Sequence, residues 1–204
     1  PKIADALLVK GGPLLEKLRC HMIVTPPIGL LYRPLSETLE TYFDIEVMHT
    51  IRLRRRTQPY DQFDGPGRQA LLETLMKRVD LDRCIPDEVC RNRLLSASGG
   101  AVRDLFRLVR EAILLASGEM LDREAVEGAV ARIRREMRDR INLNDWAPAL
   151  AKIAKTKQAH GDGACMEVLY HRLALKYNGD GWYDVHPLVA ELDEFKSALA
   201  ALPP

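Results

Sequence analysis

The sequence predicts a mainly helical chain of the α+β class, and three patterns in its 204 residues support this prediction. Apolar residues recur at helical spacing through most of the chain after residue 66. Two short segments, 20–24 and 46–54, have instead the composition or the alternation of β-strands. Near the end, Asn-Gly and Asp-Gly pairs at 178–181 lie between apolar and aromatic residues, which is a strong signal for a β-hairpin.

The first strand-like segment runs from Cys20 to Val24 and is too short for a helix. It ends at Thr25, directly before two prolines. An apolar run that prolines stop is typical of a buried strand in a parallel sheet, with a loop at its carboxyl end. Ligands bind at that end of open α/β sheets, so Thr25 is a candidate ligand residue. The alternative is a threonine that only caps a turn.

The second segment, 46–54, alternates between apolar and polar residues and predicts a strand with one polar face. On this pattern His49 is a packed histidine rather than a ligand or a base. The end of the segment carries a basic run, formed by Arg52, Arg54, Arg55 and Arg56. Because most such runs are solvated, we expect an exposed face; the alternative is contact with phosphate, nucleic acid or another subunit.

A polar loop at 57–67 ends the strand signals, and helical periodicity follows it. The predicted helices run from about 66 to 79, from Pro86 to just before Gly99, from about 100 to 116, from Asp122 to about 140, from about 145 to 158 and from 164 to 174. A predicted hairpin at 175–186 follows them, and a last helix ends near Leu199. The chain therefore changes from a sheet-like to a helical character at this loop.

The most informative stretch is 94–113, where Ser98-Gly99-Gly100 ends one predicted helix and opens the next. Arg103 lies in the first turn of the second helix, where the positive end of the helix dipole disfavours a cation. A bound anion would explain an arginine at this position. The alternative is a solvated arginine paired with nearby acids, and the spacing from Arg107 to Glu111 allows such a pair on the same helix.

This stretch resembles the sensor-2 segment of AAA+ and STAND-type P-loop ATPases. The resemblance implies that Arg103, which follows the Ser-Gly-Gly turn, reaches the terminal phosphates of ATP. It further implies that segment 20–24 is the fourth core strand of the ATPase sheet and that Thr25 is the sensor-1 residue, which positions the attacking water or the γ-phosphate. Three helices followed by a hairpin near the end of the chain resemble a winged helix.

The resemblance implies three units. Residues 1–58 would be the C-terminal part of a P-loop ATPase α/β core, residues 59–118 a helical lid that carries sensor 2, and residues 119–204 a winged-helix-like domain. The expected fold is therefore a remnant of a parallel sheet, followed by the lid and the winged helix.

Two ATPase motifs do not occur in the sequence. It has no Gly-x-x-x-x-Gly-Lys-Ser/Thr segment to cradle phosphates and no apolar strand that ends in paired acids to bind Mg²⁺. In the families that the chain resembles, both motifs precede the strand at 20–24. We therefore expect the C-terminal part of an ATPase whose complete form binds ATP and Mg²⁺. For these residues alone we expect no catalytic residue, no cofactor and no activity.

The composition sets limits on location and partners. A net charge of +1 gives no overall field for nucleic acid or an anionic membrane, and no apolar run reaches membrane-spanning length. The four cysteines have no metal-ligand spacing, so we expect reduced thiols in a cytoplasmic protein. Two disulfides are the alternative.

Three functions follow from these patterns. The leading one is an ATP-dependent switch, in which the lid and the winged helix couple the nucleotide state to a protein partner or to self-association. The second is a DNA-binding winged helix, whose third helix offers only His171 and Arg172, with Glu167 opposing them. The third is a helical interaction scaffold that binds no nucleotide.

Overall fold

The computed structural model describes residues 5–26, 36–139, 143–159, 163–177 and 181–202. Within them the chain is mainly helical, as predicted, and the only sheet has two short antiparallel strands. The predicted remnant of a parallel sheet is therefore not present in this part of the chain. No helix among these residues is both long enough and apolar enough to cross a membrane.

The elements are named in chain order. A π-helical turn at Asp5–Lys10 precedes α1 (Gly12–Glu16), α2 (Ser36–Tyr42), α3 (Gly65–Met76), α4 (Leu81–Cys84), α5 (Glu88–Ser98), α6 (Val102–Leu115), α7 (Arg123–Asp139), α8 (Leu143–Thr156), α9 (Gly163–Tyr170), β1 (Ala174–Lys176), β2 (Tyr183–Val185), α10 (Pro187–Ala190) and α11 (Asp193–Ala200).

The predicted buried strand at 20–24 is wrong. Residues 21–26 have no regular secondary structure and are all exposed; Ile23 is 97% exposed. A strand needs a neighbour to pair with its backbone, and none of the described residues pairs with this segment. The π-helical turn, α1 and α2 instead pack around Leu8 and Leu39, which form a small cluster separate from the main core.

The helices predicted between residues 66 and 158 are confirmed in order and nearly in extent, as α3, α5, α6, α7 and α8. The helix predicted at 164–174 ends at Tyr170, because Ala174 already pairs in the hairpin, and the last predicted helix is divided into α10 and α11. Local capping explains where two helices begin: the Asp87 carboxylate accepts a hydrogen bond from the Val89 amide in α5, and Asp122 accepts one from Ala125 in α7. The short α4 was not predicted. Asp80 caps it, and Leu81 buries its side chain in the main core.

The main core is one hydrophobic cluster that includes side chains from α3 through α11. Its centre lies between α6 and α7, where Leu105, Leu108 and Ala112 face Ala129 and Ile133 at zero exposure. Each fully buried leucine or isoleucine of this kind contributes about 1.5–3 kcal/mol to stability. The core therefore fixes the position of α6, which carries Arg103.

The hairpin prediction is confirmed. β1 and β2 pair antiparallel, with Ala174 opposite Val185 and Lys176 opposite Tyr183. The predicted turn residues 178–180 lie outside the described part of the chain. Trp182 is buried and stacks on Tyr177, with 4.3 Å between the ring centroids, while Tyr183 belongs to the main core. The hairpin is thus packed firmly on the helices.

The strand predicted at 46–54 is wrong in its extent. The segment is extended, but it makes only one isolated parallel bridge among the described residues, between Thr50 and Tyr177. The Thr50 amide donates to the carbonyl of Lys176 over 2.9 Å. His49, predicted to be packed, is exposed. The alternation of apolar and polar residues correctly predicted extended backbone, but the hairpin pairs with this segment only at Thr50.

Candidate functional site

The junction between α5 and α6 is a tight turn formed by Ser98, Gly99, Gly100 and Ala101, here called the glycine turn. Both glycines have left-handed backbone, with φ of +59° at Gly99 and +89° at Gly100. The Ser98 hydroxyl donates to the Leu95 carbonyl over 2.7 Å and accepts from the Gly100 amide over 3.2 Å. Local hydrogen bonds therefore fix the shape of the turn.

Neighbouring elements approach the glycine turn so closely that side chains would not fit there. A Cβ at Gly99 would lie 2.7 Å from Pro187 Cδ and 2.8 Å from Leu175 Cδ1. A Cβ at Gly100 would lie 1.9 Å from the carbonyl oxygen of Ile51. Both glycines are thus required by packing as well as by backbone conformation, and β1, α10 and the extended segment all contact this turn.

The backbone of the glycine turn is also hydrogen-bonded to two of these neighbours. The Tyr177 hydroxyl donates to the Gly99 carbonyl over 2.9 Å, and the Ile51 amide donates to the Gly100 carbonyl over 3.2 Å. The turn is therefore the point where the start of α6, the hairpin and the extended segment meet.

Arg103 lies on the exposed side of this junction, in the first turn of α6. Among the described residues no acid pairs with it, whereas Arg107 pairs with Glu136 over 2.8 Å and Arg110 with Glu111 over 3.0 Å. The Arg107–Glu111 pair that the spacing allows is therefore not formed. Ala101 at the helix N-cap supplies no capping side chain. The junction thus presents a cation at a helix start that no side chain caps.

Asp104, the next residue, points the other way and has zero exposure. Its Oδ1 accepts from Arg172 Nη2 over 2.9 Å, and Arg107 Nη1 lies 3.5 Å from the same oxygen. Its Oδ2 lies 3.7 Å from His186 Nε2. Burial, the largest influence, raises the pKa of Asp104, but His186, Arg172 and Arg107 together bring it below its ordinary value of 3.8. The buried carboxyl is therefore ionised near neutral pH.

His186 is also fully buried, and one of its nitrogens has a defined role. Nδ1 accepts a hydrogen bond from the Leu188 amide over 3.2 Å, so His186 caps α10. An accepting Nδ1 leaves Nε2 as the nitrogen that carries the proton. Within the described residues neither Nε2 nor Asp104 Oδ2 has a hydrogen-bond partner. The two unsatisfied atoms therefore face each other across the junction.

A second buried ionic cluster holds the other side of the hairpin. Asp184 in β2 accepts from Arg54 and, over 2.7 Å, from Lys157 Nζ. The Arg54 guanidinium lies 4.1 Å from the centroid of the Tyr60 ring. The prediction that the basic run is a solvated face is therefore wrong for Arg54, which is buried, while the Arg52, Arg55 and Arg56 residues are exposed. Pairing with Asp184 offsets the cost of burying this charge.

The two predicted site residues, Arg103 and Thr25, are not brought together in a recognisable site. Thr25 is exposed in a segment without regular structure, so the sheet edge implied for it is not present among the described residues. Its role as sensor 1 stays a prediction. The sequence reasoning missed Asp104, Asp184 and His186. A signal existed for Asp104, because it directly precedes Leu105 and lies one helical turn before Leu108, on the buried face of α6.

Comparisons of the chain with protein-family models, with curated proteins and with solved structures found no match. In the part of the chain that the structure describes, no three His, Cys, Asp or Glu side chains are grouped so that they could hold a metal ion. The junction therefore presents the exposed guanidinium of Arg103 and, beneath it, the buried carboxylate of Asp104 with its basic partners.

Proposed function

We propose that this chain is the C-terminal portion of an ATP-dependent molecular switch of the AAA+ or STAND type. In it, α3 to α6 act as the lid over the nucleotide, and the winged-helix-like part at 119–204, which contains the hairpin, passes the nucleotide state to a protein partner or to a second copy of the chain. Arg103 would contact the terminal phosphates. The observation that carries this proposal is the exposed guanidinium of Arg103, which has no acid partner among the described residues, at the start of α6.

The electrostatics of this position support a bound anion. A cation near a helix N-terminus costs about 0.3–1 kcal/mol. The first turn of α6 also contains Asp104, which offsets part of this cost, but its carboxylate is buried beside Arg172 and His186 and does not pair with Arg103. Arg107 and Arg110 on the same helix both have acid partners, so α6 is not a helix on which arginines are generally free. A phosphate group would interact favourably with both the guanidinium and the positive end of the helix dipole.

The packing of the glycine turn supports the coupling part of the proposal. The turn that leads into Arg103 is hydrogen-bonded to Tyr177 in the hairpin and to Ile51 in the extended segment. A change in the angle of α6 would therefore act directly on both elements.

Binding of the nucleotide would require groups beyond Arg103. A P-loop and paired acids would hold ATP and Mg²⁺ in the complete protein, and neither motif occurs in this sequence. When bound, the nucleotide would supply the triphosphate charge that Arg103 detects. We accordingly propose that turnover belongs to the complete protein.

DNA binding and a purely structural role are less well supported. His171 stacks on Trp146 with 5.2 Å between centroids, and Arg172 donates to Asp104, so both basic side chains after α9 have internal partners. A scaffold without nucleotide would leave the position of Arg103 unexplained. Neither alternative accounts for a cation at this helix start.

The test is Arg103→Ala in the complete protein. A charged hydrogen bond is worth about 1.5–3 kcal/mol, so ATP affinity or turnover should fall roughly 10- to 100-fold. Arg110→Ala is the matched control, because residue 110 lies on nearly the same face of α6, about 10 Å further along the axis. Equal nucleotide response in the wild-type protein and both variants would overturn the proposal.

A further inference from the structure

We propose that Asp104 is a positioning residue that ties the Arg103 turn of α6 to both ends of the hairpin, so that the hairpin moves with Arg103. This inference rests on the proposed function, because it assigns the path by which the nucleotide state reaches the hairpin. Asp104 itself touches no phosphate in this scheme. It acts through Arg103 on one side and through Arg172 and His186 on the other.

The first step is the contrast between two consecutive residues. Arg103 is exposed, whereas Asp104 has zero exposure and lies beneath the same helical turn. One rigid turn of backbone therefore connects a surface cation to a buried anion. Any displacement of Arg103 on binding a phosphate would displace the Asp104 carboxylate with it.

The second step is the location of the partners of Asp104. Arg172 precedes β1 and His186 follows β2, so they bracket the hairpin in sequence. The His186 amide donates to the carbonyl of Leu173 over 2.7 Å, which holds the two ends of the hairpin together. By contacting both bracketing residues, Asp104 connects α6 to the hairpin as a unit rather than to one strand.

The third step is the cost of breaking this link. A buried carboxylate that loses its partners is strongly destabilising, so the ion pair with Arg172 is expected to persist when α6 moves. Arg172 has left-handed backbone, with φ of +58°, a conformation that non-glycine residues rarely adopt. The end of α9 explains this conformation, because the Arg172 amide donates to the Leu169 carbonyl over 3.1 Å and the Leu173 amide donates to the Val168 carbonyl over 2.8 Å. These helix-ending bonds fix the position from which the Arg172 side chain reaches Asp104.

The unsatisfied pair shows where movement is possible. His186 Nε2 and Asp104 Oδ2 lie 3.7 Å apart and have no hydrogen-bond partner among the described residues. A shift of about 1 Å would bring them within hydrogen-bond distance. A small movement of α6 relative to the hairpin would therefore add one hydrogen bond between them, from His186 to Asp104.

The experiment compares ATP affinity with the ATP-dependent change in hydrogen exchange at the hairpin amides of Tyr177 and His186, in the complete protein. Asp104→Asn should keep ATP affinity within about threefold and reduce the ATP-dependent change in exchange at least tenfold. Arg103→Ala should reduce both. A purely structural role of Asp104 would not separate the two readouts.

A second variant keeps the test decisive where Asp104→Asn fails to fold. Arg172→Gly breaks the same link from the hairpin side and relieves the left-handed backbone. Lys157→Gly is its matched control, because Lys157 also has φ of +58° and also pairs with a buried aspartate, Asp184, but not with α6. Arg172→Gly should lose the hairpin response, and Lys157→Gly should keep it.

The outcomes separate the two proposals. Loss of ATP affinity in Arg103→Ala, with a full hairpin response in Asp104→Asn or Arg172→Gly, would overturn this inference and leave the proposed function standing. An equal loss of hairpin response in Arg172→Gly and Lys157→Gly would also overturn it. An Arg103→Ala variant with unchanged ATP affinity and unchanged hairpin response would contradict the proposed function itself.

Discussion

The hydroxyl of Tyr177 donates a hydrogen bond to the carbonyl of Gly99 over 2.9 Å and so fastens the hairpin to the turn that opens α6. Tyr177 is 1% exposed. Burial, the largest influence, raises the pKa of Tyr177 well above its usual value, so the hydroxyl keeps its proton at any pH the protein meets. The hydrogen bond from Tyr177 to Gly99 is therefore not lost through ionisation of the hydroxyl near neutral pH.

Removing this hydroxyl should destabilise the chain. Tyr177→Phe leaves the Gly99 carbonyl without its partner in a buried site, which should lower the free energy of unfolding by about 1–3 kcal/mol. Urea unfolding followed by tryptophan fluorescence measures the change. Tyr170→Phe, on the partly exposed ring at the end of α9, is the control and should cost less. Equal stability of the two variants would contradict the importance of this bond.

The glycines of the turn should not tolerate alanine. Gly100→Ala places a Cβ 1.9 Å from a backbone oxygen that cannot move independently, and the left-handed conformation alone costs about 1–2 kcal/mol. We expect a lower melting temperature and weaker contact between the hairpin and α6. Gly118→Ala is the matched control, since a Cβ there meets nothing within 4 Å. Calorimetric melting of both variants decides the point.

Asp184 should be far more important for stability than an exposed aspartate in an ion pair. Asp184→Ala leaves the buried Arg54 uncompensated, and breaking a buried pair from one side costs about 3–5 kcal/mol. Asp82→Ala removes the acid of a pair whose aspartate is 96% exposed, which should cost under about 1 kcal/mol. Chemical denaturation of both variants tests the difference, and similar losses would refute it.

Acid should weaken the fold partly through Asp104. Its pKa is lower in the folded chain than the ordinary value of 3.8, so ionised Asp104 contributes stability that is fully present above that ordinary value. That contribution is lost as the pH falls through the lower folded value. The free energy of unfolding of Asp104→Asn, measured from pH 7 to pH 2, should therefore fall less steeply than that of the wild type. An identical slope would rule out this role.

The chain alone should bind ATP–Mg²⁺ weakly. It carries a candidate phosphate contact in Arg103 but no P-loop lysine and no paired acids at a strand end. Isothermal titration calorimetry of these 204 residues with ATP and Mg²⁺ should show no micromolar binding. Micromolar binding would mean that the nucleotide site is built differently from the one proposed.

The helices and the hairpin were predictable because their signals are local. Apolar spacing gives α3 and α5 to α8, and the Asn-Gly and Asp-Gly pairs predict the hairpin between β1 and β2. The strand predicted at 20–24 failed because a strand depends on a partner that local sequence does not specify. The same reason limits the strand at 46–54 to a single bridge at Thr50.

The partners of the buried ionic residues were not predictable from the sequence, because each partner is distant along the chain. Arg54 lies in a run of arginines that is typical of a solvated surface, and only the fold brings Asp184 to it. Asp104 and Arg172 are likewise joined only by the packing of α6 on the hairpin. Arg103 was singled out because its motif is local, and its role stays a prediction, whereas the buried groups around it depend on packing that the motif does not contain.

The continuous core has a consequence for cutting the chain. Residues 117–120, between α6 and α7, are all exposed and open to a protease. The apolar side chains on either side of this loop nevertheless belong to one cluster, with Leu108 from α6 and Ile133 from α7 among its fully buried members. A nick at Gly118 would therefore leave two fragments that stay associated and co-elute until denaturant separates them.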